Sequence, residues 1–98
     1  MNNLSLVGNV YDEPIKFESS TGLKCCRFRI KVEKSFKDSE NQFEVFEVCV
    51  FNNLAQLDYK VGQLVGVTGR LQANNVDKDD KTYYNVSIIG SNINFLKQ

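Results

Sequence analysis

Between Lys24 and Phe36 the chain alternates. Cys26, Phe28, Ile30 and Val32 fall on one side of an extended backbone, and Cys25, Arg27, Arg29 and Lys31 on the other. Successive side chains leave opposite faces of a pleated strand, so this pattern predicts a half-buried strand with one apolar and one basic face. The basic face ends near an aromatic, Phe36. Two readings follow. It is a solvated strand face, the ordinary fate of lysines and arginines, or a surface for a polyanion with flat bases, such as single-stranded nucleic acid.

The same alternation marks the other strands. Asn3 to Val10 places Leu4, Leu6, Gly8 and Val10 on one face. Gly8 there predicts a bulge, a sharp bend or the close approach of another backbone. Asp12-Glu13-Pro14 breaks that strand, because Pro14 cannot donate a ladder hydrogen bond. Ile15 to Phe17 continues as a short extended arm, Ser19-Ser20-Thr21-Gly22 reads as a turn, and the central strand runs from Leu23 to about Lys34. Ser35 to Gln42 is polar and reads as a long hairpin loop. Its one large apolar residue, Phe36, serves either a small satellite cluster or a stacking contact.

Phe43 to Phe51 is the next strand, with Phe46, Val48 and Val50 on one face and Val45, Glu47, Cys49 and Phe51 on the other. Phe51, at its end, suits core or platform. Asn52 to Tyr59 reads as a short helix, with Asn52 or Asn53 as N-cap and Leu54 and Leu57 on one side. Gly62 to Leu71 is a strand; Gln72 to Lys81, polar apart from Val76, reads as a second long loop. Thr82 to Ile89 is the last long strand, Gly90-Ser91 turns, and Ile93, Phe95 and Leu96 close the core. Five bent strands, with one short helix between the third and fourth, predict an all-β protein: a five-stranded Greek-key barrel of the OB type.

Length and composition fit one module. A chain of 98 residues predicts a single domain, 1–98, with a modest core. The formal net charge is zero, which argues against a uniformly basic polyanion binder. The distribution changes that picture. Lys24, Arg27, Arg29, Lys31, Lys34 and Lys37 are half of the 12 basic residues, and Glu33 is the only acid among them. The acids gather at Asp12-Glu13, from Asp38 to Glu47 and from Asp77 to Asp80. The molecule is polarised, with a sum of zero.

Candidate chemistry is sparse. Cys25 and Cys26 are adjacent and point to opposite faces, so they do not pair, and Cys49 stands apart. With no histidine and no CxxC spacing there is no zinc motif, and the thiols read as reduced, in a cytoplasmic protein. No apolar run reaches the length of a membrane span, and no signal peptide is visible. The missing histidine also removes the commonest general base. There is no GxxxxGK(S/T) or GxGxxG phosphate loop. Asp77, Asp79 and Asp80 read as a solvated loop rather than a cation site. The expectation is a binding protein, not an enzyme, with no cofactor.

Several stretches together resemble the bacterial single-stranded DNA-binding protein family. Met1 to Val10, followed by Glu13-Pro14, is similar to its opening strand. Cys26-Arg27-Phe28-Arg29-Ile30 is similar to its second strand, and Val48-Cys49-Val50-Phe51-Asn52-Asn53-Leu54-Ala55 to its strand-to-helix passage. Val61-Gly62-Gln63-Leu64-Val65 with Gly69-Arg70-Leu71, and then Asn94-Phe95-Leu96, complete the match across nearly the whole chain. The resemblance implies a groove that binds single strands with little sequence preference, by stacking and by phosphate contacts, in replication, recombination and repair. Phe36 and Phe51 match stacking positions, and Arg27, Arg29 and Lys31 lie on the matching strand face. Lys24, Lys34, Lys37, Arg70 and Tyr83 complete the expected set. The implied partners are single-stranded DNA, or RNA as the other candidate strand, and a second or further copies of the chain, as a homodimer or homotetramer.

Two departures matter. Val45 and Val76 stand where many members carry an aromatic, and there is no tryptophan. At about 1–3 kcal/mol per stacked base, weaker binding is expected. The chain stops at Gln98, so the acidic recruiting tail of the family is not expected. Short primosomal replication proteins, which resemble this family and meet helicase-loading partners, are the alternative. A pure protein-interaction OB module is the third.

Overall fold

The computed structural model describes residues 1–34 and 42–97, the last without its side chain. Six strands and one short turn of 3-10 helix account for them: β1 Leu4–Val10, β2 Ile15–Glu18, β3 Lys24–Glu33, β4 Phe43–Phe51, the turn Leu54–Gln56, β5 Leu64–Lys78 and β6 Lys81–Lys97. Neighbours run β1-β5-β6-β4-β3-β2, and β3 also returns to β1 through Asn9↔Lys31 and Val10↔Ile30. The sheet therefore closes on itself. One neighbouring pair is parallel, β4 with β6 at Val48↔Ile88 and Cys49↔Ile89, and the order is that of a Greek-key OB barrel.

The apolar faces read from the sequence fill its interior. Cys26, Phe28 and Ile30 of β3, Val48 and Val50 of β4, Val65 and Val67 of β5 and Val10, Ile88 and Ile93 form one core. Tyr59 closes the floor. Its ring stacks on Phe28 with centroids 4.5 Å apart, and its hydroxyl donates to the Leu54 carbonyl at 2.7 Å.

Closure needs close backbone passes. A Cβ on Gly8 would sit 2.5 Å from the Lys31 carbonyl oxygen, and one on Gly69 would sit 2.0 Å from that of Ile89. Of the three readings of Gly8, close approach is the one found, and only glycine fits it.

Five expectations are corrected. The arm at Ile15–Phe17 is a true strand, paired with β3 from Ile15↔Arg27 to Glu18↔Lys24. With β1, it lines the same edge of β3, and Pro14 marks the break between them. The helix over Asn52 to Tyr59 is a single 3-10 turn at Leu54–Gln56, and Asn53 makes no side-chain cap. Asn52, at a positive φ of 57°, accepts the first bond of the turn from the Ala55 amide at 3.1 Å, and Leu57 is already extended at ψ 156°, which ends it after one turn.

Gln72 to Lys81 is not a loop. β5 and β6 stay paired from Gly69↔Gly90 out to Lys78↔Lys81, and only Asp79 and Asp80 form the turn, at φ 53° and 63°. Two successive positive φ values are the signature of a type I′ hairpin. Gly90-Ser91 is not a turn either. It lies inside β6, where the register shifts between Thr68 and Gly69, and the Ser91 hydroxyl donates to the Thr68 carbonyl at 3.0 Å. This β-bulge bends the strand without ending it. Of the residues expected to close the core, Ile93 is buried, while Phe95 and Leu96 keep 37% and 52% of their surface exposed.

Candidate nucleic-acid interface

The interface builds up from strand register. Side chains at directly paired positions share a face, so β2, β3 and β4 present a common outer surface in rows. Phe17, Cys25 (itself buried) and Phe51 form one row; Ile15, Arg27 and Cys49 the next; then Arg29 with Glu47, Lys31 with Val45, and Glu33 with Phe43. Through the parallel pair the second row continues to Ile89 and, across β5, to Arg70. The same face runs up the hairpin to Val76 and Tyr83, paired with each other and about half exposed.

The β3 cations on this face lie over aromatics. The Arg27 guanidinium carbon is 5.7 Å from the Phe17 centroid, and the Lys31 Nζ is 4.8 Å from that of Phe43. Such pairs hold a charge in place while leaving ring surface open. Arg29 lies 5.7 Å from the Tyr11 centroid but is also taken by Asp12, whose Oδ2 accepts from Nε at 2.7 Å. That hydrogen bond raises Arg29 above its ordinary pKa. Burial pushes the Cys49 thiol up as well, so it stays protonated at neutral pH and adds no negative charge to the centre of the face.

Of the expected site residues, Arg27, Arg29, Lys31, Phe51, Arg70 and Tyr83 come together on this surface. Lys24 and Lys34 do not share it, since their strand parity is that of Cys26 and Phe28. Lys24 lines a cleft that borders the first row of the face, with Lys16, Phe17, Cys25 and Ala55, and the Lys34 amide donates to the Gln42 carbonyl where β3 and β4 join. Phe36 and Lys37 lie outside the described residues.

The chain matches the model of the single-strand binding protein family over residues 1–96. It belongs to that family. Among its relatives, a single-stranded DNA-binding protein 1 of Clostridium acetobutylicum is 33% identical over 104 residues, covering 99% of this chain and 94% of the relative. A single-stranded DNA-binding protein of Clostridium tetani is 28% identical, covering 99% and 71%. The solved structure of a small single-stranded DNA-binding protein from Streptomyces coelicolor is similar, with a TM-score of 0.74, 25% identity and coverage of 95% and 92%. The dimeric N-terminal domain of PriB from Thermoanaerobacter tencongensis shares the fold, with a TM-score of 0.72 at 19% identity, covering 99% and 98%.

Single-strand binding proteins are non-enzymatic. Among the described residues no helix is long and apolar enough to cross a membrane.

Three features of this family member's surface escaped the sequence reading. Phe43 shares the parity of Phe51, a signal that was present in the alternation of β4. Phe17 could be placed only once β2 was known to pair with β3. The Asp12–Arg29 contact joins residues 17 apart through the link between two strands, and no local pattern announces it.

Proposed function

We propose that the chain binds single-stranded DNA, with little sequence preference, across the outer face of β3 and β4 and up the β5–β6 hairpin. Arg27, Lys31 and Arg70 meet phosphates, while Phe43, Phe51 and Tyr83 stack bases. The observation that carries this reading is the pairing of each β3 cation on this face with an aromatic, Arg27 with Phe17, Arg29 with Tyr11 and Lys31 with Phe43. A strand that offers alternating charge and flat apolar surface needs both in register. The names of the Clostridium relatives and of the Streptomyces structure point the same way. The setting is replication, with recombination and repair as its extensions, in the cytoplasm.

The test is a fluorescence-anisotropy titration of labelled poly-dT at low and high salt, against wild type, Phe43→Ala and Phe51→Ala. Binding should weaken as salt rises, because counterions compete for Arg27, Lys31 and Arg70. Each truncation should cost about 1–3 kcal/mol, or roughly 5- to 150-fold in Kd. Binding that is absent at every salt, or indifferent to both aromatics, defeats the proposal in favour of a protein-docking module for a helicase or another replication partner. Sedimentation of the same material at micromolar concentration should show a dimer or tetramer; a monomer would remove self-association.

A further inference from the structure

Arg29 lies midway along the basic face, between Arg27 and Lys31, yet it is the cation least free to meet a phosphate. Asp12 sits on the link between β1 and β2. Its Oδ2 accepts from Arg29 Nε at 2.7 Å and pairs with Nη2, and its Oδ1 accepts the backbone N–H of Arg29 at 3.3 Å. The link itself is pinned, since the Tyr11 amide donates to the Arg29 carbonyl at 2.7 Å, and the guanidinium lies 5.7 Å from the Tyr11 ring centroid. Further carboxylates are close by. Glu47 is directly across from Arg29 on β4. Glu13 and Glu47 line, with Asp12, a cleft of about 370 Å³ that also holds Arg27 and Arg29.

A carboxylate and a phosphate offer the guanidinium fork the same thing, two anionic oxygens in a plane it can bridge. We infer that Asp12 is a built-in competitor for the nucleic-acid backbone. It holds Arg29 closed to phosphate and so sets how tightly the centre of the face grips a strand. This rests on the reading of the face as a single-strand binding surface, and deepens it. Arg29 contributes little to binding while Asp12 is charged, and becomes a phosphate contact when that charge is removed. Each phosphate contact on a single strand adds about 0.7 to the slope of log K against log salt, so the competitor also leaves its mark on the salt dependence.

A purely structural clasp, tying the β1–β2 link to β3, would show the same hydrogen bonds, so the experiment must separate the two. Anisotropy of labelled oligo-dT is measured over a salt series for wild type, Asp12→Asn, Arg29→Ala, the double variant and Glu13→Gln. Asp12→Asn keeps an oxygen for the backbone N–H and removes the charge. It should tighten binding about three- to ten-fold at low salt and steepen the slope by about 0.7. Glu13→Gln, which removes a charge that is not bonded to Arg29, should tighten it less. Arg29→Ala should stay within about two-fold of wild type, and the gain from Asp12→Asn should largely vanish in its background. A clasp would give lower melting temperatures and no gain in affinity. Should Asp12→Asn fail to fold, Asp12→Ser, which keeps an acceptor for the backbone N–H without the charge, makes the same comparison with and without Arg29→Ala. If wild type binds and Asp12→Asn does not tighten, or tightens equally without Arg29, this inference alone falls. If none of the variants binds, the reading of the face falls, and this inference with it.

Discussion

The β5–β6 hairpin is one pair of strands with two different lives. From Leu64 to Arg70 it forms barrel wall, and Val65, Val67 and Gly69 are buried in strict alternation. From Leu71 to Lys78 the ladder continues without a break to its turn, but beyond the buried Ser87 and Ile88 at its base the side chains are exposed. Leu71, Val76, Tyr83, Tyr84 and Val86 are all exposed, Tyr84 to 76%. Pairing and burial are therefore separable. The wall is held by the core, and the projecting ribbon by its hydrogen bonds, its turn and cross-strand pairs such as Val76 with Tyr83, each worth a fraction of a kcal/mol. A two-stranded ribbon on its own is marginal. That is a poor state for a wall, and a workable one for the proposed contact with a flexible strand.

The sharpest way to break the wall is at its tightest point. In Gly69→Ala the new methyl group would meet the Ile89 carbonyl oxygen at 2.0 Å, its carbon at 2.9 Å and the Gly90 Cα at 3.0 Å. All three are backbone atoms beside the β6 bulge, and none can rotate away. The expected cost is above about 4 kcal/mol, against a total of about 5–15 kcal/mol for a domain of this kind. Loss of the cooperative melt by circular dichroism would register it. Gly66→Ala, three residues earlier on the outer face of the same strand, is the control. Its Cβ would meet Leu96 Cδ1 at an ordinary 3.6 Å, so it should melt close to wild type. Equal melting of the two variants would mean that the close pass at Gly69 does not hold the barrel shut.

The contrast also explains what could be read from the amino acids. Alternation reports burial, so it found β3, β4 and the wall half of β5, where Phe28, Val48 and Val67 face inward. It lost the ribbon, because Gln72, Ala73, Asn74 and Asn75 carry no alternation when both faces meet water. It took Gly90-Ser91 for a turn because a bulge needs the same residue types. In the candidate interface, Arg27 and Lys31 followed from parity, while Phe51, which parity left as core or platform, came from the family resemblance. Lys24 and Lys34 were included on charge, although parity sets them on the other face. Phe17 and the Asp12–Arg29 contact depend on which strand lies beside which, and that information is not local.

A gentler probe tests the floor of the wall by pH. Burial raises the Cys26 and Cys49 thiols from an ordinary value of 9.0, and raises the Tyr59 phenol well above 10.0. The folded chain therefore keeps protons that the unfolded chain gives up. Stability from these groups is complete below their unfolded values and is lost as pH rises past them, through about 9 for the thiols and then about 10 for the phenol. The melting temperature should be level from pH 7 to 8.5 and then fall. Tyr59→Phe should cost about 1 kcal/mol at neutral pH, because the Leu54 carbonyl loses its hydroxyl donor, and should flatten the part of the fall above pH 10. A variant that falls as steeply as wild type there would place the alkaline loss elsewhere.

The smallest expected effect falls on the ribbon. Asp79 and Asp80 both hold positive φ, a conformation that costs an L residue free energy, and their carboxylates are neighbours. Asn-Gly suits a two-residue type I′ turn better. Replacing Asp79-Asp80 with Asn-Gly should stabilise the hairpin by about 0.5–1 kcal/mol. The measurement is amide hydrogen exchange rather than melting. If the ribbon opens while the barrel stays closed, protection rises over residues 72–87 and the melting temperature hardly moves, since local opening does not draw on global stability. If the melting temperature rises in step with protection, wall and ribbon open as one unit. Tyr83 and Val76 would then belong to a face as rigid as the one that carries Arg27 and Phe51, and a bound strand would have to fit the hairpin rather than the hairpin fit the strand.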